Sequence, residues 1–191
     1  MSDMERISRL MDDAKAAVTA MGPEHANVIA QIAELLLATF QAGGKLLLCG
    51  NGGSASDAQH IATELAGHFM HDRRPLPAIA LGTDVSLLTC VANDYSYEDI
   101  FSRAVQALGR GGDVLWAIST SGNSPNVLKA AQAAKAIGMK VIGMTASGGG
   151  KLAALSDVCF KAPTNQTYLA QQVHQAAYHI VCLLLDEQCP R

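Results

Sequence analysis

Lys45-Leu46-Leu47-Leu48-Cys49-Gly50-Asn51-Gly52-Gly53-Ser54 contains, in order, the three parts of one supersecondary unit. A short apolar run bounded by turn residues reads as a buried strand. The glycines read as a tight loop, and the residues from Ser54 onward have helical spacing. The same order recurs at Asp113-Val114-Leu115-Trp116-Ala117-Ile118, which runs into Ser119-Thr120-Ser121-Gly122-Asn123-Ser124. A strand, a Gly/Ser loop and a helix N-terminus together offer backbone N–H groups, hydroxyl donors and the positive end of a helix dipole. That combination holds an anion such as a phosphate. Its double occurrence points to a phosphorylated small molecule.

Around these two units, apolar runs at 77–81, 140–144 and 157–161 join 45–49 and 113–118 as strands. Helical spacing fills the gaps at 54–69, 85–92, 97–109, 124–137, 148–155 and 166–187. Strands that alternate with helices and lack hairpin turns predict an α/β fold, a doubly wound five-stranded parallel sheet flanked by helices. Ligands of such sheets bind at strand carboxyl ends beside a topological switch point, and both Gly/Ser loops sit at strand carboxyl ends. Upstream, Ile7, Leu10, Met11, Ala14, Val18 and Met21 mark one apolar helix face over 4–21. Gly22-Pro23 breaks it, and a second helix runs to Gly43-Gly44. The expected organisation is one domain over 1–191, with an N-terminal helical hairpin over 1–43 and the α/β core and C-terminal helix over 44–191.

Only 16% of the residues are charged while 49% are hydrophobic, so part of the surface is expected to be covered by other subunits. A net charge of −3 without a Lys/Arg cluster argues against nucleic acid as a partner. No apolar run approaches the ~18 residues of a membrane span. The N-terminal stretch is interrupted by Asp3, Glu5, Arg6, Arg9, Asp12 and Asp13, unlike a signal peptide. The expected location is the cytoplasm, away from membranes. Five cysteines without a CxxC pair are expected to be free thiols, with Cys49, Cys159 and Cys182 in apolar surroundings.

His60 and Glu64 stand four apart on the helix after the first loop and share one face. So placed, they could hold a metal, act as an acid/base pair, or form a solvated polar pair. The last helix has an apolar arc of Leu169, Val173, Ala176, Ala177, Ile180, Leu183 and Leu184. Opposite lie Gln171, His174, Gln175, Tyr178 and His179, uncharged until Asp186, a face suited to a polar cavity or a subunit contact. His68, His71 and the Asp72-Arg73-Arg74 turn read as surface. Asn93-Asp94 reads as a turn or cap, and Gly148–Gly150 as a helix entry.

Cys49 to Ser54, Asp57-Ala58-Gln59-His60, Glu64, Asn93-Asp94, Gly112-Asp113, Ile118 to Ser124, Gln171 and His179 together make the chain similar to the sugar isomerase (SIS) domain proteins. Among these it resembles the phosphoheptose isomerases along nearly its whole length. The resemblance implies isomerisation of sedoheptulose 7-phosphate to D-glycero-D-manno-heptose 7-phosphate, the first step toward nucleotide-activated heptose for lipopolysaccharide. It implies Glu64 and His179 as catalytic acid/base residues, and one zinc per subunit held by His60, Glu64, Gln171 and His179. For substrate it implies Asn51, Gly52, Gly53, Ser54, Glu64, Asn93, Asp94, Ser119, Thr120, Ser121, Ser124 and Gln171. It also implies a homotetramer with active sites at subunit interfaces. Two rival readings are a protein-binding assembly factor that keeps the SIS fold without catalysis, and an isomerase of another ketose phosphate. The assembly factors lack the catalytic carboxylate and the terminal-helix histidine, both of which are present here.

Overall fold

The computed structural model describes residues 1–189. Its chain order is α1 (Asp3–Thr19), α2 (Pro23–Gln41), β1 (Leu46–Gly50), α3 (Gly53–Ala66), β2 (Ala78–Ala80), α4 (Val85–Asp94), α5 (Ile100–Leu108), β3 (Val114–Ile118), α6 (Pro125–Ala136), β4 (Lys140–Thr145), α7 (Gly150–Leu155), β5 (Val158–Lys161) and α8 (Thr167–Gln188). All strand pairs are parallel, in the order β2-β1-β3-β4-β5. The chain steps from β1 outward to β2, then returns to the other side of β1 as β3. That reversal is the switch point, and in register Gly50 lies beside Ile118, so both Gly/Ser loops leave the sheet there together.

Side chains of successive strand residues point to opposite faces. Leu46, Leu48, Val114, Trp116, Ile118, Ile142 and Met144 therefore pack with α2, α3 and α8. Leu47, Cys49, Leu115, Ala117 and Val141 pack with α5, α6 and α7 on the other face. The predicted doubly wound sheet is the observed one.

Differences from the expected boundaries have local causes. Ala78–Ala80 is shorter than the run 77–81 because it forms an edge strand, with Ile79 39% exposed. The helix expected over 97–109 opens as a 3₁₀ turn, Tyr97–Asp99, capped by the Ser96 hydroxyl, which accepts from the Glu98 amide. Helix α3 stops at Ala66, before Gly67. Helix α1 is closed at its start by a capping box: Ser2 Oγ accepts from the Glu5 amide and Glu5 accepts from the Ser2 amide.

The largest correction concerns α8. The buried seam runs Leu169-Ala170, Val173-His174, Ala177-Tyr178, Val181-Cys182 and Leu185-Asp186. His174 and Tyr178, read with Gln171, Gln175 and His179 as a polar face turned to a cavity or subunit contact, are in the buried seam, while Ile180 and Leu183 of the expected apolar arc are exposed. The helix packs against α1 and α2 as well as α3, so more of its circumference is covered than one apolar arc allows. Arg73 is likewise buried, not on the surface, whereas His68 and His71 are exposed as expected. Cys49 and Cys182 are buried free thiols and Cys159 is half-buried.

Candidate active site at the switch point

The second Gly/Ser loop forms a hydroxyl cradle. Ser119 Oγ lies 3.0 Å from Ser124 Oγ and 3.4 Å from Ser121 Oγ. Ser124 is the N-cap of α6, yet its hydroxyl does not cap the helix; it faces Ser119. The helix thus brings its positive end to the point where three hydroxyls converge. Gly122 has φ +65°, and a Cβ there would strike the Gly149 carbonyl, so a larger residue would push the third glycine-rich turn away. That turn, Gly148–Gly149 before α7, acts as the helix entry expected of it.

The first loop is tied to the second. The side-chain amides of Asn51 and Asn126 bond reciprocally, each donating to the other at 2.8 Å. The Tyr97 hydroxyl donates to Asn51 Oδ1 at 3.1 Å. Asn51 therefore joins the two loops, and Asn126 and Tyr97 are members of the site that motif reading did not find. The amides of Ser54, Ala55 and Ser56 bond to loop carbonyls of Asn51 and Gly52. Ser54 itself is buried in the first turn of α3, and Gly52, with φ +55°, makes the turn that starts the helix. The Thr120 carbonyl accepts from the Ala146 amide, pinning the cradle to the end of β4.

Helices α3 and α8 lie side by side in the same direction, and the groove between them starts at the first loop, where Gln171 meets Gly53. Gln171 stands against Gly53 so closely that a Cβ on the glycine would collide with the amide. Tyr178 lies opposite Asp57 and His60. Beyond the end of α3, Asp186 meets Arg73. Gln171 is thus at the loop end of the groove, opposite a residue seven positions before His60, about 10 Å back along the α3 axis.

Midway along the groove, His60, Glu64 and His179 converge, with one potential ligand atom from each lying within 4.8 Å of the others. His60 Nε2 is 2.9 Å from Glu64 Oε1 and 3.4 Å from His179 Nε2. All three are half-buried. Burial, and then the neighbouring His60, hold the His179 imidazole below its ordinary range, with Glu64 opposing them. Phe69 stacks on the His179 ring at 5.5 Å. Behind His60, the Tyr178 hydroxyl reaches Nδ1 at 3.0 Å and Asp57 Oδ1 at 3.4 Å. Burial pushes the Asp57 carboxyl up to about 6, against the pull of Tyr178 and His60. Two imidazoles and a carboxylate are a donor set that suits zinc, and the same groups can exchange protons.

Asn93 and Asp94 are exposed at the end of α4, where the Asn93 amide and then the Cys90 thiol hold Asp94 below the usual carboxylate range. His174 is not part of the site; its Nε2 is 2.9 Å from the Thr145 carbonyl in the core. Asp57 could have been found in the sequence, since it stands three before His60 on the same face. Tyr178 stands on the polar arc read for the last helix, but its link to Asp57, 121 residues away, is not readable from spacing.

Residues 10–146 match the model of the SIS domain family. A phosphoheptose isomerase of Rhodospirillum rubrum is 53% identical over 162 residues, covering 85% of this chain and 86% of the relative. One from Roseiflexus is 45% identical, covering 96% and 91%. The solved phosphoheptose isomerase of Neisseria gonorrhoeae superposes with a TM-score of 0.91 at 41% identity, covering 97% of this chain and all of that one. That of Francisella tularensis gives 0.91 at 36% identity, covering 98% and 100%. With the family model matched over most of its length and its fold shared at this level of identity, the chain belongs to the phosphoheptose isomerase family of SIS-domain enzymes.

Proposed function

We propose that the groove converts sedoheptulose 7-phosphate to D-glycero-D-manno-heptose 7-phosphate with Glu64 and His179 as the proton-transferring pair. The observation that carries this reading is the convergence of Glu64 and His179 between α3 and α8, with α3 starting at the first Gly/Ser loop and that loop tied through Asn51 and Asn126 to the loop of the hydroxyl cradle. The cradle of Ser119, Ser121 and Ser124 takes the phosphate, and Gly52, Gly53 and Gln171 line the sugar's path toward the triad.

The reaction moves a carbonyl from C2 to C1. Glu64 removes a proton from C1, the electron pair enters the C1–C2 bond, and the C2 oxygen takes a proton from His179. The resulting enediol loses its C1 hydroxyl proton as C2 gains one, which leaves the aldose. Two protons are removed, from C1 and from its hydroxyl, and two are returned, to the C2 oxygen and to C2, so no other reactant is consumed. Half-burial of both groups limits the water that competes for these protons.

His60, Glu64 and His179 are the residues that would hold a zinc ion. Gln171 remains a candidate fourth ligand by resemblance, although the groove seats its amide at Gly53. When bound, zinc would supply Lewis-acid polarisation of the sugar carbonyl. Metal analysis of protein purified without chelator is expected to find about one zinc per chain, lost in His60→Ala.

The proposed assembly is a homotetramer. Ile7, Leu10 and Met11 on α1, Val85 and Leu87 on α4, and Ile180 and Leu183 on α8 leave apolar surface exposed on one chain. Among the described residues no helix is long and apolar enough to cross a membrane. We place the enzyme in the cytoplasm, at the first step of nucleotide-activated heptose synthesis for lipopolysaccharide. Incubating purified protein with sedoheptulose 7-phosphate, and separately with a shorter ketose phosphate, while following aldose formation tests the reading. Turnover of the heptulose phosphate is expected; turnover of the shorter sugar alone would reassign the substrate, and turnover of neither would favour a binding role.

A further inference from the structure

Asp57 and Tyr178 stand behind His60 and are not used by the reaction above. Tyr178 is 1% exposed, and its hydroxyl lies between His60 Nδ1 and Asp57 Oδ1. Asp57 Oδ2 is buried with no hydrogen-bond partner among the described residues. A phenol has one proton to give. Given to His60, it would leave both oxygens of Asp57 without a donor and would put the ring proton on Nε2, pointing at Glu64. Given to Asp57, it satisfies Oδ1 and leaves only Oδ2 without a partner, whereas the other choice leaves both oxygens bearing the desolvation cost of an unpaired acceptor. The phenol oxygen then accepts from His60 Nδ1–H. The Nε2 lone pair is thereby free for an ion held by His60, Glu64 and His179, which would replace the 2.9 Å hydrogen bond that Nε2–H makes to Glu64 in the other tautomer.

We propose that Asp57 and Tyr178 form a hydrogen-bonded relay that holds His60 as the Nδ1–H tautomer, with Nε2 presented as a metal-ligand atom. Both are positioning residues, since they act through His60. A carboxylate behind a metal-binding histidine commonly fixes the ring in this way; here a tyrosine carries the effect across a gap that Asp57 does not span itself. The inference rests on the zinc reading above.

Zinc affinity, measured by competition with a chromogenic chelator, tests it in Tyr178→Phe, Asp57→Asn and the double variant. Each single variant is expected to bind zinc about 10- to 100-fold more weakly than wild type. The double variant is expected to be no weaker than the worse single one, because the two residues act in series. The urea midpoint of each metal-free protein serves as the folding control. A loss below tenfold in Tyr178→Phe, or losses that multiply in the double variant, would overturn the relay. Nitrogen-15 NMR of zinc-loaded wild type gives an independent readout that needs no variant. A proton on His60 Nδ1, shifted downfield by its hydrogen bond, is expected, and an Nδ1 proton without that shift would overturn the proposal. A wild-type chain that binds no zinc would instead strike down the metal reading, and the relay's purpose with it.

Discussion

Two polar clusters fasten α3 to α8, and they are built on opposite rules. At the far end, Arg73 and Asp186 have fully buried side chains. Asp186 Oδ1 accepts from Arg73 Nε at 2.7 Å, and Oδ2 accepts from the amides of Met70 and His71. The rest of the guanidinium donates to the carbonyls of Glu64, Leu65 and Arg74. Burial alone would raise the Asp186 carboxyl, but the two amides and the guanidinium outweigh it and hold it below the usual range. At the middle of the groove, His60 and Glu64 are 38% and 18% exposed, and three acceptor-capable atoms face one another. The closed cluster has its hydrogen bonds made and holds the end of α3 still. The open one brings three potential ligand or proton-carrying atoms within 4.8 Å of one another at partly exposed positions, which is what proton transfer or metal binding needs. Saturation, more than the presence of charge, separates a fastening from a reactive site.

The sharpest way to break this contrast is to remove half of the closed cluster. Arg73→Met leaves the Asp186 carboxylate buried without its cation, and stability in urea is expected to fall by about 3–5 kcal/mol. A loss under 1 kcal/mol would mean the pair is not the closed fastening described. Next comes His174, a buried histidine of α8 that belongs to the closed interior. Burial lowers its pKa to about 4, against the bond to the Thr145 carbonyl. The unfolded chain takes up this proton near pH 6.5, so between 6.5 and 4 it binds more protons than the folded one. Stability from this group is complete above about pH 6.5 and declines by up to ~1.4 kcal/mol per pH unit toward pH 4. His174→Gln is expected to remove that slope, and an unchanged slope would assign it to other groups. The smallest effect belongs to the open end: Ser121→Ala is expected to weaken binding of the sugar phosphate by about 1.5–3 kcal/mol with little change in stability. Calorimetry showing equal affinity in both proteins would move the phosphate out of the cradle.

The sheet was legible because each strand is a short apolar run closed by turn residues, and the two Gly/Ser loops marked its switch point in advance. Edges were harder. Ala78–Ala80 is half-exposed and pairs on one side only, so its apolar run overstates the strand. His60 and Glu64 were visible from their spacing alone, since both lie on one helix. The rotation of α8 was not visible, because helices pack on several sides of it and His174 and Tyr178 enter the interior through hydrogen bonds to residues distant in the chain. Arg73 and Asp186 were unreadable for the same reason: each looks like surface until the other, over a hundred residues away, is brought to it.

The central claim is that the open cluster carries the chemistry while the closed one carries the stability. Glu64→Gln keeps the side chain's size and hydrogen bonding and removes its ability to accept the proton. Turnover of sedoheptulose 7-phosphate and the urea midpoint, measured on the same preparation, are expected to separate, with turnover at least ~100-fold lower and the midpoint within experimental error of wild type. Near-normal turnover in Glu64→Gln would contradict the account.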